Sequence, residues 1–201
     1  GSDLALAMAG VKLSVVGEAN LWNHRPAVFL SNHQSQLDML LLGALLRRDF
    51  TAVAKKELEH DPVFAPIGYL ASVAYVDRKN SEKAREALAP VVEALRDGRS
   101  IAIAPEGTRS PTPRLLPFKK GAFHMAMQAG VPVVPIVMRN AGDLMRPHSL
   151  VISDGTVDVA VLKPISSKSW TTKNIGRQAD RVRQLYLDTM AHWPTEESEL
   201  L

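Results

Sequence analysis

Residues 27–38 have the sequence AVFLSNHQSQLD, in which a short apolar run is followed by a polar stretch and then by the start of a second apolar segment. The run 27–30 is too short for a helix and suits a buried strand. Ser35 and Asp38 have the spacing of a helix cap and an acid in the first helical turn. The stretch therefore predicts a strand that turns sharply into a helix.

This turn contains a histidine, His33, five positions before Asp38. Two residues five apart in a helix lie about 140° apart around its axis, so they would not meet if both were helical. If the chain turns between them, Asp38 can fold back to accept a proton from one imidazole nitrogen and leave the other as a general base. Spacing alone favours the simpler interpretation, in which Asp38 belongs to a capping signal and His33 is an ordinary loop residue.

Along the rest of the chain, short β-branched runs alternate with helical patterns. This alternation predicts an α/β fold with a mixed, mostly parallel central sheet flanked by helices. The predicted strands cover residues 12–16, 27–30, 51–54, 72–76, 100–104, 133–138 and 157–161. The predicted helices cover residues 36–47, 62–69, 81–97, 121–129 and about 174–190.

The length of 201 residues, with 46% hydrophobic and 22% charged residues, predicts a single domain over 1–201. The motif-bearing core covers about 12–165 and a polar carboxy-terminal helix about 170–191, after which we expect 195–201 to fray. Gly1-Ser2 is interpreted as a cloning scar, so we expect the chain to be a piece of a longer protein. Its apolar runs are all shorter than the roughly 20 residues that cross a bilayer.

The chain has no cysteine, which excludes disulfides, thiolate nucleophiles and zinc–thiolate sites. A formal charge of +3 favours an anionic partner without identifying it. We predict no metal site, because the histidines other than His33 lack the spacing of a metal motif. These histidines are His24, His60, His124, His148 and His192.

We expect four apolar runs to end at one edge of the sheet. Three of them are followed by a cation, namely Lys55, Arg78 or Arg109. The carboxyl ends of parallel strands form the ligand crevice of α/β proteins, and arginine suits phosphate. The simpler alternative is that these cations are solvated or paired with Asp77 and Glu106. A base beside a phosphate site, without a nucleophile-elbow or nucleotide-loop motif, indicates that the substrate supplies the nucleophile.

The chain resembles the glycerolipid acyltransferases of the lysophosphatidic acid acyltransferase (PlsC) type. NHQSQLD at 32–38 is similar to their His-x4-Asp block, SVAYVDR at 72–78 to their second, PEGTRS at 105–110 to their third and VPVVPI at 131–136 to their fourth. PFKKG at 117–121 also lies where the family has such a run. The blocks occur in the family's order.

This resemblance implies a glycerolipid-acyltransferase-like fold, with His33 as general base and Asp38 orienting it. The hydroxyl of a lysophospholipid would attack the thioester of acyl-CoA or acyl carrier protein, with no other cofactor. The expected product is phosphatidic acid, formed by acylating the sn-2 hydroxyl of 1-acyl-glycerol-3-phosphate. We expect the protein to work peripherally at the cytoplasmic face of a membrane and to bind no nucleic acid.

The resemblance also implies binding roles for residues outside the dyad. It implies that Lys55, Arg78 and Arg109 bind the phosphate. It assigns Glu106, Gly107 and Thr108 to the acceptor site. It assigns Lys120, Val134 and Pro135 to a pocket for the acyl chain or the acyl donor. Two departures, Ser72 for a usual glycine and Ala74 for a larger aliphatic, leave the local pocket's preference open.

Three rival functions remain from the sequence. In the first, the acceptor is glycerol-3-phosphate or another lysophospholipid. In the second, the domain is a non-catalytic module that binds phospholipids or phosphate esters. In the third, it is a hydrolase that passes the acyl group to water. Binding alone would use the cations but would not need the pairing of His33 with Asp38.

Overall fold

The computed structural model describes residues 7, 10–32, 37–62, 65–66, 69, 73–76, 81–107, 114–145 and 151–201. These residues form a seven-stranded sheet in the order β1-β7-β6-β2-β5-β3-β4. Its strands are β1 (Val11–Val16), β2 (Val28–Ser31), β3 (Phe50–Lys55), β4 (Ala74–Val76), β5 (Ser100–Ile103), β6 (Val133–Arg139) and β7 (Gly155–Val161).

Five neighbouring strands run in the same direction. β2 pairs in parallel with β5 and β6, and β3 pairs in parallel with β5 and β4. β7 is antiparallel to β6 and parallel to β1, so these two strands run the opposite way. The predicted mixed, mostly parallel sheet is therefore confirmed.

Helices cover both faces of the sheet, because alternate residues of the central strands are buried on opposite sides. Val28 and Leu30 lie in the same core cluster as residues of the helices on one face, whereas Phe29 belongs to the cluster on the other. The first face carries α2 (Ser81–Arg96), α3 (Gly121–Ala129) and α5 (Ile175–Ala191). The second carries α1 (Leu37–Leu46) and the single turn α4 (Ala141–Leu144).

Most predicted elements agree with the structure to within two residues, and β4 begins two residues late at Ala74. Helix α2 packs through one apolar stripe, since Val91, Val92 and Leu95 are buried and Leu88 packs against the same core. Of the predicted helix 62–69, residues 63, 64, 67 and 68 lie outside the described residues, whereas residues 65, 66 and 69 are helical. Among the residues that are described, no helix combines the length and apolar character needed to span a bilayer.

The expectation that residues 195–201 fray was wrong. A short 3-10 helix, Glu197–Glu199, orders this segment, and its Glu196 and Glu199 side chains form a reciprocal capping box. Leu200 is buried in the core, and the N–H of Lys163 donates to the carbonyl of Leu201 at 3.2 Å. Composition missed this because one apolar side chain in a polar segment is enough to anchor it.

Candidate active site

The carboxyl ends of β2, β3, β4, β5 and β6 lie along one edge of the sheet, because these strands are mutually parallel. The predicted convergence of four strand ends at one edge is therefore confirmed. β2 lies between β5 and β6 and is the fourth of the seven strands, so Asn32, which directly follows it, lies near the middle of the sheet.

Asn32 joins the end of β2 to β6 through its side chain. The residue is 2% exposed, its Nδ2 donates to the carbonyl of Met138 and its Oδ1 accepts from the N–H of Met138, both at 2.8 Å. The last backbone pair between these strands is Ser31 with Ile136. A carboxamide carries one donor side and one acceptor side, so here it substitutes for a backbone peptide group and extends the ladder.

This contact fixes the chain immediately before His33. In the sequence, Asn32 had appeared only as the first residue of the block 32–38. A signal was available, since an asparagine directly after a fully buried strand must satisfy its amide within the protein. His33 itself lies outside the described residues.

Asp38 lies in the first turn of α1 and is 4% exposed. The helix begins at Leu37, which agrees with the predicted start, and Asp38 lines the same pocket as Ser31 and Asn32. The end of β2 and the first turn of α1 therefore both contribute to the wall of one pocket. Its pairing with His33 remains a prediction.

An open pocket of about 60 Å³ lies at this edge, with room for several water-sized groups. Among the described residues, the polar side chains that line it are those of Ser31, Asn32 and Asp38. The other described residues that line it are apolar or glycine and come from α1, β3, β5, the residues after β5 and the 3-10 helix Lys56–His60: Met39, Leu42, Ala52, Val53, Ala54, Leu58, Ala102, Ile103, Ala104 and Gly107. Such a site suits a ligand with an apolar tail and a polar end.

Glu106 and Gly107 follow β5 at the same edge. Gly107 lines the pocket and has φ 76°, a left-handed conformation that favours glycine. Glu106 is 3% exposed, and its carboxylate accepts the N–H of Leu116 at 2.9 Å. This bond joins two residues that precede and follow positions 108–113 in the chain, so Glu106 has a structural contact in addition to its predicted place at the acceptor site.

The other predicted site residues are distributed as follows. Arg78, Thr108 and Arg109 lie outside the described residues. Lys55 is the last residue of β3, and its backbone is described but its side chain is not. Lys120 is exposed before α3, whereas Val134 and Pro135 are buried in β6. None of these last three lines the pocket described above, and their role in a donor or acyl pocket stays a prediction.

Two residues of α5 reach the site without having been predicted. The hydroxyl of Tyr186 donates to the carbonyl of Leu30 in β2, and Arg183 donates to the carbonyls of Leu115 and Leu116. Burial, and secondarily the charge of Glu106, raise the pKa of Tyr186 well above its ordinary value. No group of three or more histidine or acidic side chains in the described part of the chain could hold a metal ion.

Comparison with known proteins decides the family. The profile of the family described as Acyltransferase matches residues 12–139, which is more than half of the chain. The chain belongs to this acyltransferase family. The family resemblance drawn from the sequence motifs is therefore confirmed.

Individual relatives of the chain agree with the profile. The chain is 39% identical over 186 residues to a 1-acyl-sn-glycerol-3-phosphate acyltransferase of Saccharomyces cerevisiae, covering 91% of this chain and 61% of the relative. It is 35% identical over 189 residues to the human 1-acyl-sn-glycerol-3-phosphate acyltransferase alpha, covering 93% of this chain and 66% of the relative. The chain thus spans just under two thirds of these relatives.

The fold also matches a solved structure, that of the 1-acyl-sn-glycerophosphate acyltransferase PlsC from Thermotoga maritima. The TM-score is 0.77, with 24% sequence identity, and the match covers 96% of this chain and 78% of that chain. At this identity the likeness establishes the fold, and it agrees with the glycerolipid-acyltransferase-like architecture expected from the sequence.

Proposed function

We propose that this acyltransferase transfers a fatty acyl group from acyl-CoA or acyl carrier protein to the sn-2 hydroxyl of 1-acyl-glycerol-3-phosphate, giving phosphatidic acid. The observation that carries the proposal is the pocket at the sheet edge. It combines an apolar wall with the buried Asp38 and Asn32, next to the position of His33 in the chain. The names of the yeast and human relatives supply the acceptor.

In the proposed reaction, His33 accepts the proton of the acceptor hydroxyl while the oxygen attacks the thioester carbonyl. Asp38 orients the imidazole and stabilises the imidazolium that forms. The C–O bond forms, the tetrahedral intermediate collapses with cleavage of the C–S bond, and the imidazolium returns its proton to the leaving thiolate. The products are an ester and a free thiol, so no cofactor is consumed.

The phosphate of the acceptor is assigned to Lys55, Arg78 and Arg109, with Glu106, Gly107 and Thr108 beside it. Arginine pairs with phosphate through two parallel hydrogen bonds, which fixes the orientation of the glycerol as well as its affinity. Support comes from the parallel strands, which bring the backbone at Lys55 and at Gly107 to the same edge. The acyl chain of one substrate is assigned to the apolar wall.

We place the protein at the cytoplasmic face of a membrane, as a peripheral enzyme, because its lysophospholipid acceptor resides in bilayers and acyl-CoA is water-soluble. Cosedimentation with phosphatidylcholine vesicles containing lysophosphatidic acid tests this placement. Binding is expected with the acceptor present and weaker binding without it, and equal recovery in the supernatant under both conditions would contradict it.

The test of the reaction is thiol release from acyl-CoA, with chromatography of the lipid product. We expect release that depends on lysophosphatidic acid and a product with the mobility of phosphatidic acid. Release that is equally fast without any lipid would show a hydrolase. Lipid binding without release from acyl-CoA or acyl carrier protein would show a binding module, and a preference for glycerol-3-phosphate would show a different acceptor.

A further inference from the structure

The helix α5 contacts both chain segments that border the candidate site. Arg183 and Tyr186 are three residues apart and therefore lie on the same helix face. Tyr186 donates to Leu30 near the end of β2, whereas Arg183 contacts the chain after residues 108–113. The ring of Phe118 packs edge-on against Tyr186 at 5.1 Å, so both contacts belong to one packed surface.

The Arg183 contact is linked to Glu106 through a single peptide group. Nη2 of Arg183 donates to the carbonyl of Leu115 at 2.8 Å, and the N–H of the same peptide group, that of Leu116, donates to Oε2 of Glu106 at 2.9 Å. Nε of Arg183 also donates to the carbonyl of Leu116 at 3.1 Å. A cation at the oxygen and an anion at the N–H polarise this peptide in the same sense, which strengthens both bonds.

We infer that Arg183 is a positioning residue for the acceptor site, acting on Glu106 through the peptide group between Leu115 and Leu116. Glu106 directly precedes Gly107, which lines the pocket, and the segment 108–113 contains Thr108 and Arg109. This inference rests on the proposed function for its kinetic consequence. The predicted base His33 follows β2 in the chain and its predicted partner Asp38 lies in α1, so the chemical step is not the one that Arg183 controls.

Loss of the Arg183 bonds is expected to weaken the contact between Glu106 and Leu116 without unfolding the protein. The N–H of Lys119 independently donates to the carbonyl of Pro105 at 2.8 Å, which ties the same two segments at a second point. Without the guanidinium, the Leu115 carbonyl loses its charged donor. The bond from the Leu116 N–H to Glu106 is then no longer strengthened from the other side of the peptide group. The acceptor site then becomes less well ordered before the substrate binds, which lowers affinity for the acceptor.

The experiment compares Arg183→Gln and Arg183→Lys with Arg181→Gln, which removes the same charge from an exposed position of the same helix. Amide hydrogen exchange at Leu116, followed by NMR, reports on the peptide group directly. Steady-state kinetics report the KM for lysophosphatidic acid and for acyl-CoA separately.

For Arg183→Gln we expect exchange at Leu116 to accelerate about tenfold and the acceptor KM to rise about tenfold, as for a lost hydrogen bond to a charged group. The kcat and the acyl-CoA KM should stay within about twofold of wild type, since the dyad is untouched. Arg183→Lys keeps the charge and one donor and should recover part of both effects. Arg181→Gln should change neither.

Unchanged exchange at Leu116 in Arg183→Gln, or equal rises in both KM values, would overturn the inference. If the glutamine variant does not fold, the lysine variant provides the same comparison. If the wild type transfers no acyl group, the proposed function fails, while the exchange measurement still decides whether Arg183 orders the peptide that binds Glu106.

Discussion

At the scale of single residues, Asn32 contributes to both the fold and the site. Its carboxamide bonds to both backbone groups of Met138 and thereby continues the pairing of β2 with β6 for one more residue. The next residue is His33, so the same contact that ends the strand fixes the start of the predicted catalytic turn. Folding and positioning therefore have a common cause at this point.

Asn32→Ala should lower the free energy of unfolding by about 2 kcal/mol, because two buried backbone groups lose their partner. It should also lower acyl transfer strongly under conditions where the variant is fully folded. Urea unfolding and the thiol-release rate measure the two effects.

A matched control lies at the opposite end of the strands. The hydroxyl of Ser100 is buried and accepts the N–H of Ala27 at 3.1 Å. Ser100→Ala should destabilise by about 1 kcal/mol and leave the transfer rate of the folded protein unchanged. If Asn32→Ala behaved in the same way as Ser100→Ala, Asn32 would have only a structural role.

At the scale of elements, α5 contributes the contacts that the sequence did not predict. The pattern identified a polar carboxy-terminal helix and placed it correctly, but it gave no sign that the helix reaches the site. Tyr186 and Leu30 are 156 residues apart in the chain, and periodicity contains no information about which strand a helix will cover. The buried tyrosine hydroxyl required a partner, but the sequence could not say which one.

Tyr186 also makes stability depend on pH in the alkaline range. Burial and the nearby Glu106 raise its pKa well above the ordinary value, so the folded protein keeps the proton that the unfolded chain releases. The stabilisation is complete below pH about 10, the unfolded-state pKa, and is lost as the pH rises above it.

Below pH about 10, Tyr186→Phe should have a free energy of unfolding about 1 kcal/mol lower than wild type, the value of one hydrogen bond. Above that pH the wild type loses stability and the variant does not, so the difference between them should shrink by up to about 1.4 kcal/mol per pH unit. Urea unfolding at a series of pH values measures the difference, with the exposed Tyr69→Phe as control. A difference that stays constant with pH would contradict the pKa assignment.

At the scale of the whole molecule, the sheet brings distant motifs together at one edge. The sequence predicted the α/β class, the parallel strand ends and the family because these follow from short-range patterns. The apolar pocket wall was not predicted. It combines α1, β3, β5, the residues after β5 and a 3-10 helix, so its lining depends on the strand order. The predicted pocket residues Val134 and Pro135 are buried in β6, and their role stays a prediction.

The pocket assignment predicts a change in chain-length preference. Ala54→Phe adds a ring to the wall formed by β3 and leaves less room for a long acyl chain. The ratio of kcat/KM for long chains to that for short chains should therefore fall about tenfold, because one methylene is worth roughly 1–3 kcal/mol in such a pocket. A series of acyl-CoA donors and of lysophosphatidic acids identifies which chain is affected. Val151→Phe adds similar bulk at an exposed position outside the pocket and should leave the preference unchanged.

The central claim is that His33 acts as the base in acyl transfer, and thiol release by His33→Ala in the presence of lysophosphatidic acid and acyl-CoA tests it most directly. We predict a loss of roughly 10²–10⁴-fold with lipid binding retained, and no loss for His24→Ala, an exposed histidine. Release by His33→Ala at the wild-type rate would contradict the account.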